Sequence, residues 1–117
     1  MSNTPLLFLG DLRPGMRFKS AGHLIDEAQI KAFAAQFDPQ AFHLDHEAAK
    51  ATLFGGLAAS GWHTAAITMR LLVGGGLPLV GGIIGASGEL SWLKPTRPGD
   101  MLHPPCQNDL HHLPLTI

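Results

Sequence analysis

The sequence is short of cysteine and of net charge, and each scarcity excludes a class of protein. Cys106 is its only cysteine, so the chain cannot form an internal disulfide. The first ten residues have neither a basic segment nor a proper apolar run, so we expect no signal peptide and a cytoplasmic location. Eight Lys and Arg against nine Asp and Glu leave no basic footprint for nucleic acid. A length of 117 residues predicts one domain over 1–117.

Residues 71–88 lack charge altogether, which raises the question of a membrane segment. The stretch is near the length of a span, but it contains seven glycines and Pro78. In a helix each glycine would cost about 1 kcal/mol and the proline about 3 kcal/mol. We therefore predict a loop that leads into a strand, and no membrane association. The glycines do not form a G-x-G-x-x-G pattern, so no dinucleotide site is predicted.

Helix-capping residues mark the first half of the chain. Asp26 can accept hydrogen bonds from the first turn of a helix, and Gln29 follows three residues later. An apolar stripe then runs to Phe37, and Pro39 disfavours helical geometry at Asp38. The pattern predicts a helix that ends before Asp38, followed by a loop.

Two further helices are predicted downstream. Asp45 is interpreted as the cap of a short helix over residues 47–50. A third helix is predicted from Gly61 to about Val73, with Ser60 as its cap. Its apolar side is formed by Trp62, Ala65, Ala66, Met69, Leu72 and Val73. A helix this apolar is typically wrapped by other structure.

Strands are predicted from alternating apolar and polar residues. Residues 16–19 and 84–93 alternate in this way, and Pro98-Gly99 favours a turn after the second segment. Residues 100–103 should then begin a returning strand. We expect Trp62 and Trp92 to belong to the core.

Three segments resemble motifs of the MaoC-like dehydratase and (R)-specific enoyl-CoA hydratase family, in the family's order. They are Phe37-Asp-Pro-Gln-Ala-Phe-His-Leu-Asp45, Phe54-Gly-Gly-Leu-Ala-Ala-Ser-Gly61 and Lys94-Pro-Thr-Arg-Pro-Gly-Asp100. Ala41 stands where the family usually has proline. The resemblance covers most of residues 11–103. It implies an α+β hotdog fold, in which a curved antiparallel sheet wraps a central helix, here residues 61–73. It also implies a homodimer or dimer of dimers that binds acyl-CoA at the subunit interface, with no cofactor besides this thioester substrate.

Hydration of a 2-enoyl thioester needs a base for water, an acid for the α-carbon and donors for the enolate oxygen. By resemblance, Asp38 and His43 are the catalytic pair, although the sequence does not say which is the base in which step. Ser60, Gly61 and Gly56 are assigned to substrate binding. The free N–H groups at a helix start favour negative charge, and glycine permits close approach of a thioester carbonyl.

Simpler interpretations stand beside these assignments. Asp38 could cap the turn at Pro39, and His43 could be an ordinary loop histidine. His43, Asp45 and His46 are close in sequence, but His43 and His46 lie at a loop-to-helix junction with no third ligand at a recognisable spacing, so no metal is predicted. His63 is expected to be packed or hydrogen-bonded near the mouth of the site. Two other functions remain open: a thioesterase of the same fold, and a catalytically silent acyl-binding or dimerisation module.

The family pattern stops after Leu102. Pro104 and Pro105 would remove donors from a strand ladder, and no regular alternation follows. For this tail, residues 103–117, we expect an incomplete sheet at the C-terminal end and a small margin of stability.

Overall fold

The fold was analysed in a computed structural model that describes residues 6–13, 16, 21–76, 79–82, 84, 89–103 and 114–116. Its helices are α1 (Glu27–Phe37), α2 (Ala41–Leu44), α3 (His46–Lys50) and α4 (Gly61–Leu71), and its strands are β1 (His23–Leu24), β2 (Glu89–Ser91), β3 (Met101–Leu102) and β4 (Pro114–Thr116). A 3-10 turn (Leu9–Asp11) precedes β1, and a π-helical turn (Leu72–Gly76) follows α4. Within the described ranges, no helix is long and apolar enough to cross a membrane.

Helix α1 begins and ends where its capping residues predict. The Asp26 carboxylate accepts a hydrogen bond from the Gln29 amide at 2.9 Å, which confirms Asp26 as the cap. The helix ends at Phe37, and Asp38 occupies its C-terminal cap position. The buried side of α1 packs into the main hydrophobic cluster, which contains Ile25, Ile30, Leu57, Ala59 and Ile67.

A loop was predicted after Pro39, and this was wrong over four residues, because they form α2. The proline stops α1, but it leaves the residues beyond it free to begin a new turn. The His43 amide donates to the Gln40 carbonyl, and the Asp45 amide donates to the Ala41 carbonyl. Asp45 also caps α3 as predicted, since its carboxylate accepts from the Glu47 amide at 3.0 Å.

The buried side of α4 is not the apolar side that was predicted. Its buried residues are His63, Thr64, Ile67 and Thr68, whereas Trp62 is 63% exposed and Met69 is 40% exposed. Burial of the threonines costs little because their hydroxyls are satisfied locally. Thr68 donates to the Thr64 carbonyl, and Thr64 donates to the Gly61 carbonyl. The π-helical turn then leaves the helix through Gly75, whose φ of 136° favours glycine.

Short strands accompany the helices. β1 pairs with β3 in antiparallel register, with His23 opposite Leu102. A strand therefore forms after residue 100 as predicted, but it pairs with β1 and does not return along β2, whose described partner is β4. β2 covers only part of the strand predicted over 84–93, and residues 85–88 lie outside the described ones. Of the strand predicted at 16–19, Met16 lies outside any strand, and the rest is likewise not described.

The tail contributes a strand that was not expected. β4 pairs with β2 in parallel, with Leu90 opposite Leu115. Parallel pairing requires a crossover connection of about a dozen residues or more, and residues 92–113 are long enough to supply one. Residues 104–113, including the proline pair, are outside the described part of the chain.

Candidate active site

A cleft of about 450 Å³ lies where the end of α1, helix α2, the loop after α3, the start of α4 and residues 92–96 meet. Its polar lining includes Asp38 and His43, together with Thr64, Lys94 and Thr96. Apolar side chains, including Leu53, Phe54 and Leu93, line much of the rest. A cleft of this size, mostly apolar with a few convergent polar groups, is typical of a small-molecule site.

The structure brings Asp38 and His43 together. Nε2 of His43 lies 3.3 Å from Oδ2 of Asp38. Both side chains are largely shielded from solvent, with 6% of the His43 side chain and 19% of the Asp38 side chain exposed. Their proximity depends on α2, because one helical turn after Pro39 directs the imidazole back toward the end of α1.

The protonation pattern of the His43 ring is set by a second contact. Nδ1 lies 2.6 Å from the Ala58 carbonyl oxygen, which can only accept a hydrogen bond. Nδ1 therefore carries the proton in the neutral ring, and Nε2 carries the lone pair. This nitrogen lies beside the carboxylate of Asp38, so a water molecule that contacts both groups from the cleft meets two proton acceptors.

Asp38 is held as a carboxylate by its neighbours. The Gln40 amide donates to Oδ1 at 2.6 Å, and this hydrogen bond is the largest influence that lowers the pKa of Asp38 below its usual range. Partial burial opposes the effect, whereas Ser60 and His43 add to it. The anionic form is therefore favoured at neutral pH.

Ser60 does not cap α4 through its side chain, so that prediction was wrong. Its hydroxyl donates instead to Oδ2 of Asp38 at 2.7 Å, across 22 residues of sequence. This follows from tertiary packing, because the end of α1 places the Asp38 carboxylate beside the Ser60 hydroxyl, where an amide of the first turn of α4 would otherwise be its partner. Ser60 thus joins the Asp38–His43 pair as a positioning group.

Gly61 lines the cleft. Its lack of a side chain was predicted to admit a thioester carbonyl, but it makes room for the ring of Trp92 instead. A Cβ there would lie 2.7 Å from Cε2 of Trp92. The indole Nε1 of Trp92 donates to the Gly61 carbonyl at 2.9 Å. Trp92 therefore fills the space that was expected to admit a thioester carbonyl.

Trp62 and Trp92 are not core residues, contrary to prediction. Their rings meet edge to face with centroids 5.7 Å apart, both line the cleft, and 44% of Trp92 is exposed. An indole with one polar edge and a large apolar face is suited to a wall of this kind.

Gly56 is not brought to the cleft. It is buried, and its carbonyl accepts a hydrogen bond from Nη1 of Arg97 at 2.9 Å. The same guanidinium also donates to the carbonyls of Phe54 and Leu57. Sequence reasoning did not single out Arg97, although its place in the third family motif was a signal that could have found it.

Arg97 and its neighbours hold the glycine-containing loop in place. The amide of Ala59 donates to the Thr96 carbonyl, and the amide of Ala58 donates to the Phe42 carbonyl. The loop is thus tied both to the helices and to residues 96–97. Since the Ala58 carbonyl also accepts from His43, this anchoring fixes the position of the His43 imidazole.

No group of three ligand-type side chains suited to a metal ion occurs within the ranges that the structure describes. The carboxylate of Asp45 is engaged at the start of α3. His63 lies buried against Phe33 with parallel rings, 4.5 Å between centroids, and does not line the cleft. The expectation that it sits at the mouth of the site was therefore wrong.

Comparison with known proteins identifies the family. The model of the MaoC like domain family matches residues 11–107. The chain belongs to this family. A Bacillus subtilis (strain 168) protein of uncharacterised function, YdeM, is 34% identical over 95 residues, which is 80% of this chain and 67% of YdeM.

Solved structures agree on the fold. A MaoC-like dehydratase from Rhodospirillum rubrum shares 71% identity and a TM-score of 0.82, over 84% of this chain and 67% of that protein. The R-hydratase PhaJ1 from Pseudomonas aeruginosa shares 26% identity and a TM-score of 0.64, over 81% of this chain and 60% of PhaJ1. The hotdog fold and its α+β class are thereby confirmed. The chain spans about two thirds of the length of these relatives.

Membership of this family and likeness to these two structures support a hydratase or dehydratase in general terms.

Proposed function

We propose that the protein adds water to a 2-enoyl-CoA thioester to give an (R)-3-hydroxyacyl-CoA, or catalyses the reverse reaction, in the cytoplasm. The observation that carries the proposal is the convergence of Asp38 and His43 in a mostly apolar cleft, 3.3 Å apart. A few polar groups within a mostly apolar cleft suit a substrate with an acyl chain and a reactive conjugated thioester.

The roles proposed for His43 and Asp38 follow from the hydrogen bonds that each side chain makes. His43 holds a lone pair on Nε2, because Nδ1 is committed to the Ala58 carbonyl. A neutral imidazole is ordinarily a stronger base than a carboxylate, and the neighbours of Asp38 weaken that carboxylate further as a base. His43 is therefore the base that takes a proton from water, and Asp38 orients the water and stabilises the imidazolium.

The reaction balances with this pair alone. The water oxygen bonds to the β-carbon as its proton moves to Nε2 of His43. The π-electron pair shifts onto the thioester oxygen as an enolate. The enolate then takes the proton from Nε2 at the α-carbon, which regenerates the neutral imidazole.

The enolate oxygen needs donors, and the start of α4 is the proposed source. The N–H groups in the first turn of a helix have no intrahelical acceptor, and the helix dipole favours negative charge there. Gly61 begins this turn and lines the cleft. Because Trp92 covers its Cα, the substrate would contact the amide groups rather than the space beside that carbon.

An assay with crotonyl-CoA tests the proposal. Hydration removes the conjugated enoyl absorbance without releasing a thiol, and chiral analysis of the product reports the (R) configuration. Release of free CoA would favour the thioesterase alternative instead. Saturable acyl-CoA binding with neither reaction would favour the silent module.

Asp45→Asn supplies a matched control for this assay. It removes a carboxylate that is near in sequence but caps α3 outside the cleft. Its hydration rate should stay near that of the wild type. A loss comparable to that of a catalytic-pair variant would mean that the assay reports folding rather than chemistry.

We further propose that the enzyme acts as a homodimer or dimer of dimers. Support comes from an exposed apolar surface on α4 and on the π-helical turn after it, where Trp62, Met69 and Val73 recur at helical spacing. Met69→Glu should shift the protein toward monomer in size-exclusion chromatography with light scattering. Gln36→Glu, on the exposed side of α1, is the control and should leave the mass unchanged.

A further inference from the structure

A second cavity, of about 460 Å³, lies beside α4 and is bordered by residues of β1 and α1. It is lined by His23, Gln29, His63, Ala66, Ile67 and Arg70. None of these residues lines the catalytic cleft, so the cavity is separate from the site described above.

His63 supplies a buried polar atom that lacks a partner. Only 8% of the residue is exposed, and its ring stacks on Phe33 with an interplanar angle of 2°. Among the described residues, nothing forms a hydrogen bond with its Nδ1. Leaving a buried polar group unpaired costs about 1–3 kcal/mol, so such an atom is expected to meet a ligand or water.

The lining is basic in character and contains no carboxylate. His63 and Arg70 are seven residues apart on α4, which places them on one side of the helix two turns apart. His23 approaches from β1, and its Nε2 lies 2.6 Å from Oε1 of Gln29. That amide oxygen only accepts, so Nε2 of His23 carries a proton.

The cavity lining itself supplies no compensating anion, although the carboxylate of Asp26 interacts with His23. None of the ion pairs within the described residues involves Arg70. Burial lowers the pKa of His63 below its usual range, and the positive charge of His23 lowers it further. An anion in the cavity would provide a partner for the unpaired atom and for the charge of Arg70.

We propose that this cavity binds a small anion that carries a carboxylate or a phosphate group. Its oxygens would accept hydrogen bonds from the exposed guanidinium of Arg70. Nδ1 of His63 is closed to solvent in this structure, so the anion would reach it through a small displacement of the ring. The planar fork of arginine matches both groups, and charge-assisted hydrogen bonds are the strongest that such a site can offer.

Nuclear magnetic resonance of the histidine side chains tests this in the full chain, with inorganic phosphate and butyrate as separate probes. We expect a saturable shift of the His63 resonances and a rise in its pKa, because a bound anion favours the imidazolium. A response to phosphate alone, or to butyrate alone, assigns the chemical class. A response to both assigns a general anion site.

Arg70→Gln should weaken the binding by about tenfold or more, since it removes the guanidinium and leaves the histidines. Lys50→Gln is the matched control, because it removes an exposed positive charge on α3 outside the cavity. Crotonyl-CoA hydration by Arg70→Gln should remain at the wild-type rate.

Two results would overturn the proposal. One is the absence of a saturable His63 response to either probe, and the other is equal affinity in the wild type and Arg70→Gln. Loss of hydration together with anion binding in Arg70→Gln would contradict a separate site. The catalytic assignment does not depend on these results, because it rests on other residues.

Discussion

The helical region, residues 21–71, and the strand residues beyond it are stabilised in different ways. Apart from Leu12, every buried hydrophobic residue identified in the structure lies between Ile25 and Ile67. Ile84, Leu93 and Met101, by contrast, are each more than half exposed. The helical region therefore contains the core and the Asp38–His43 pair. The residues beyond it line one wall of the cleft and hold its glycine-containing loop in place. The contrast teaches that the site can be largely preorganised by helices, with hydrogen bonds from residues 92–97 fixing its loop.

The largest expected effect is a loss of hydration activity, and it tests the role of the Asp38–His43 pair in the helical region. Asp38→Asn and His43→Ala should each lower crotonyl-CoA hydration at least about a hundredfold, because general acid–base groups typically contribute 10²–10⁴. Thermal unfolding of both variants should remain cooperative, and their CoA affinity should change little. Near-normal turnover of either variant would remove it from the catalytic pair.

The anchor on the strand side is tested by Arg97→Ala. This change removes a guanidinium that donates to three loop carbonyls, so the free energy of unfolding should fall by about 2 kcal/mol. Arg97→Lys should recover only part of the loss, because an ammonium cannot reproduce the planar fork. Urea unfolding measures both.

Arg13→Ala is the control for Arg97. Arg13 also donates to two carbonyls, but it is exposed, so we expect a loss below about 0.5 kcal/mol. Equal losses at the two positions would mean that the loop is not anchored by Arg97.

Contact between the two regions is tested by Gly61→Ala. The added Cβ would meet the Trp92 ring at 2.7 Å, so overpacking should cost about 1–3 kcal/mol or displace the indole. Tryptophan fluorescence should report the displacement through the Trp62–Trp92 pair. The double variant Gly61→Ala, Trp92→Leu should regain stability, whereas purely additive losses would disprove the contact.

Smaller effects on stability and activity should distinguish Asp26 from Ser60, which each immediately precede a helix. Asp26→Ala should lower stability by about 1 kcal/mol, because it removes a true cap. Ser60→Ala should affect activity more than helix stability, and the pKa of Asp38 should rise because a donor to its carboxylate is lost. If Ser60→Ala destabilised the protein as Asp26→Ala does without changing activity, the positioning role would be wrong.

The smallest expected effect is a dependence of stability on mildly acidic pH. Burial lowers the pKa of folded His63 below its unfolded value of about 6.5, so the unfolded chain binds the proton more readily. Stability should therefore fall as pH drops below about 6.5. His63→Gln should flatten this decline in urea unfolding from pH 7 to 5, and His46→Gln, at an exposed position, should not.

Local features were predicted well where neighbouring residues decide them. Asp26 and Asp45 cap their helices as expected because each carboxylate reaches an amide two or three residues away. The family motifs predicted the hotdog fold and singled out Asp38 and His43, which the structure brings together. Helix α2 was missed because a single turn of four residues has no periodicity to detect.

Errors were concentrated where distant segments meet. Ser60 looked like a cap, but the partner of its hydroxyl comes from 22 residues earlier in the chain. Gly61 looked open, but Trp92 comes from 31 residues later to cover it. Sequence spacing carries no information about such contacts.

The sequence by itself determined the positions of the capped helices and the family, and it singled out Asp38 and His43 as candidates, because these inferences depend on short-range hydrogen bonding and on motif order. Tertiary structure alone decided which nitrogen of His43 carries the proton, that Ser60 holds Asp38, and that Arg97 anchors the loop. The physical reason is that each of these contacts joins segments at least 15 residues apart, and their partners are set by how the helices and strands pack.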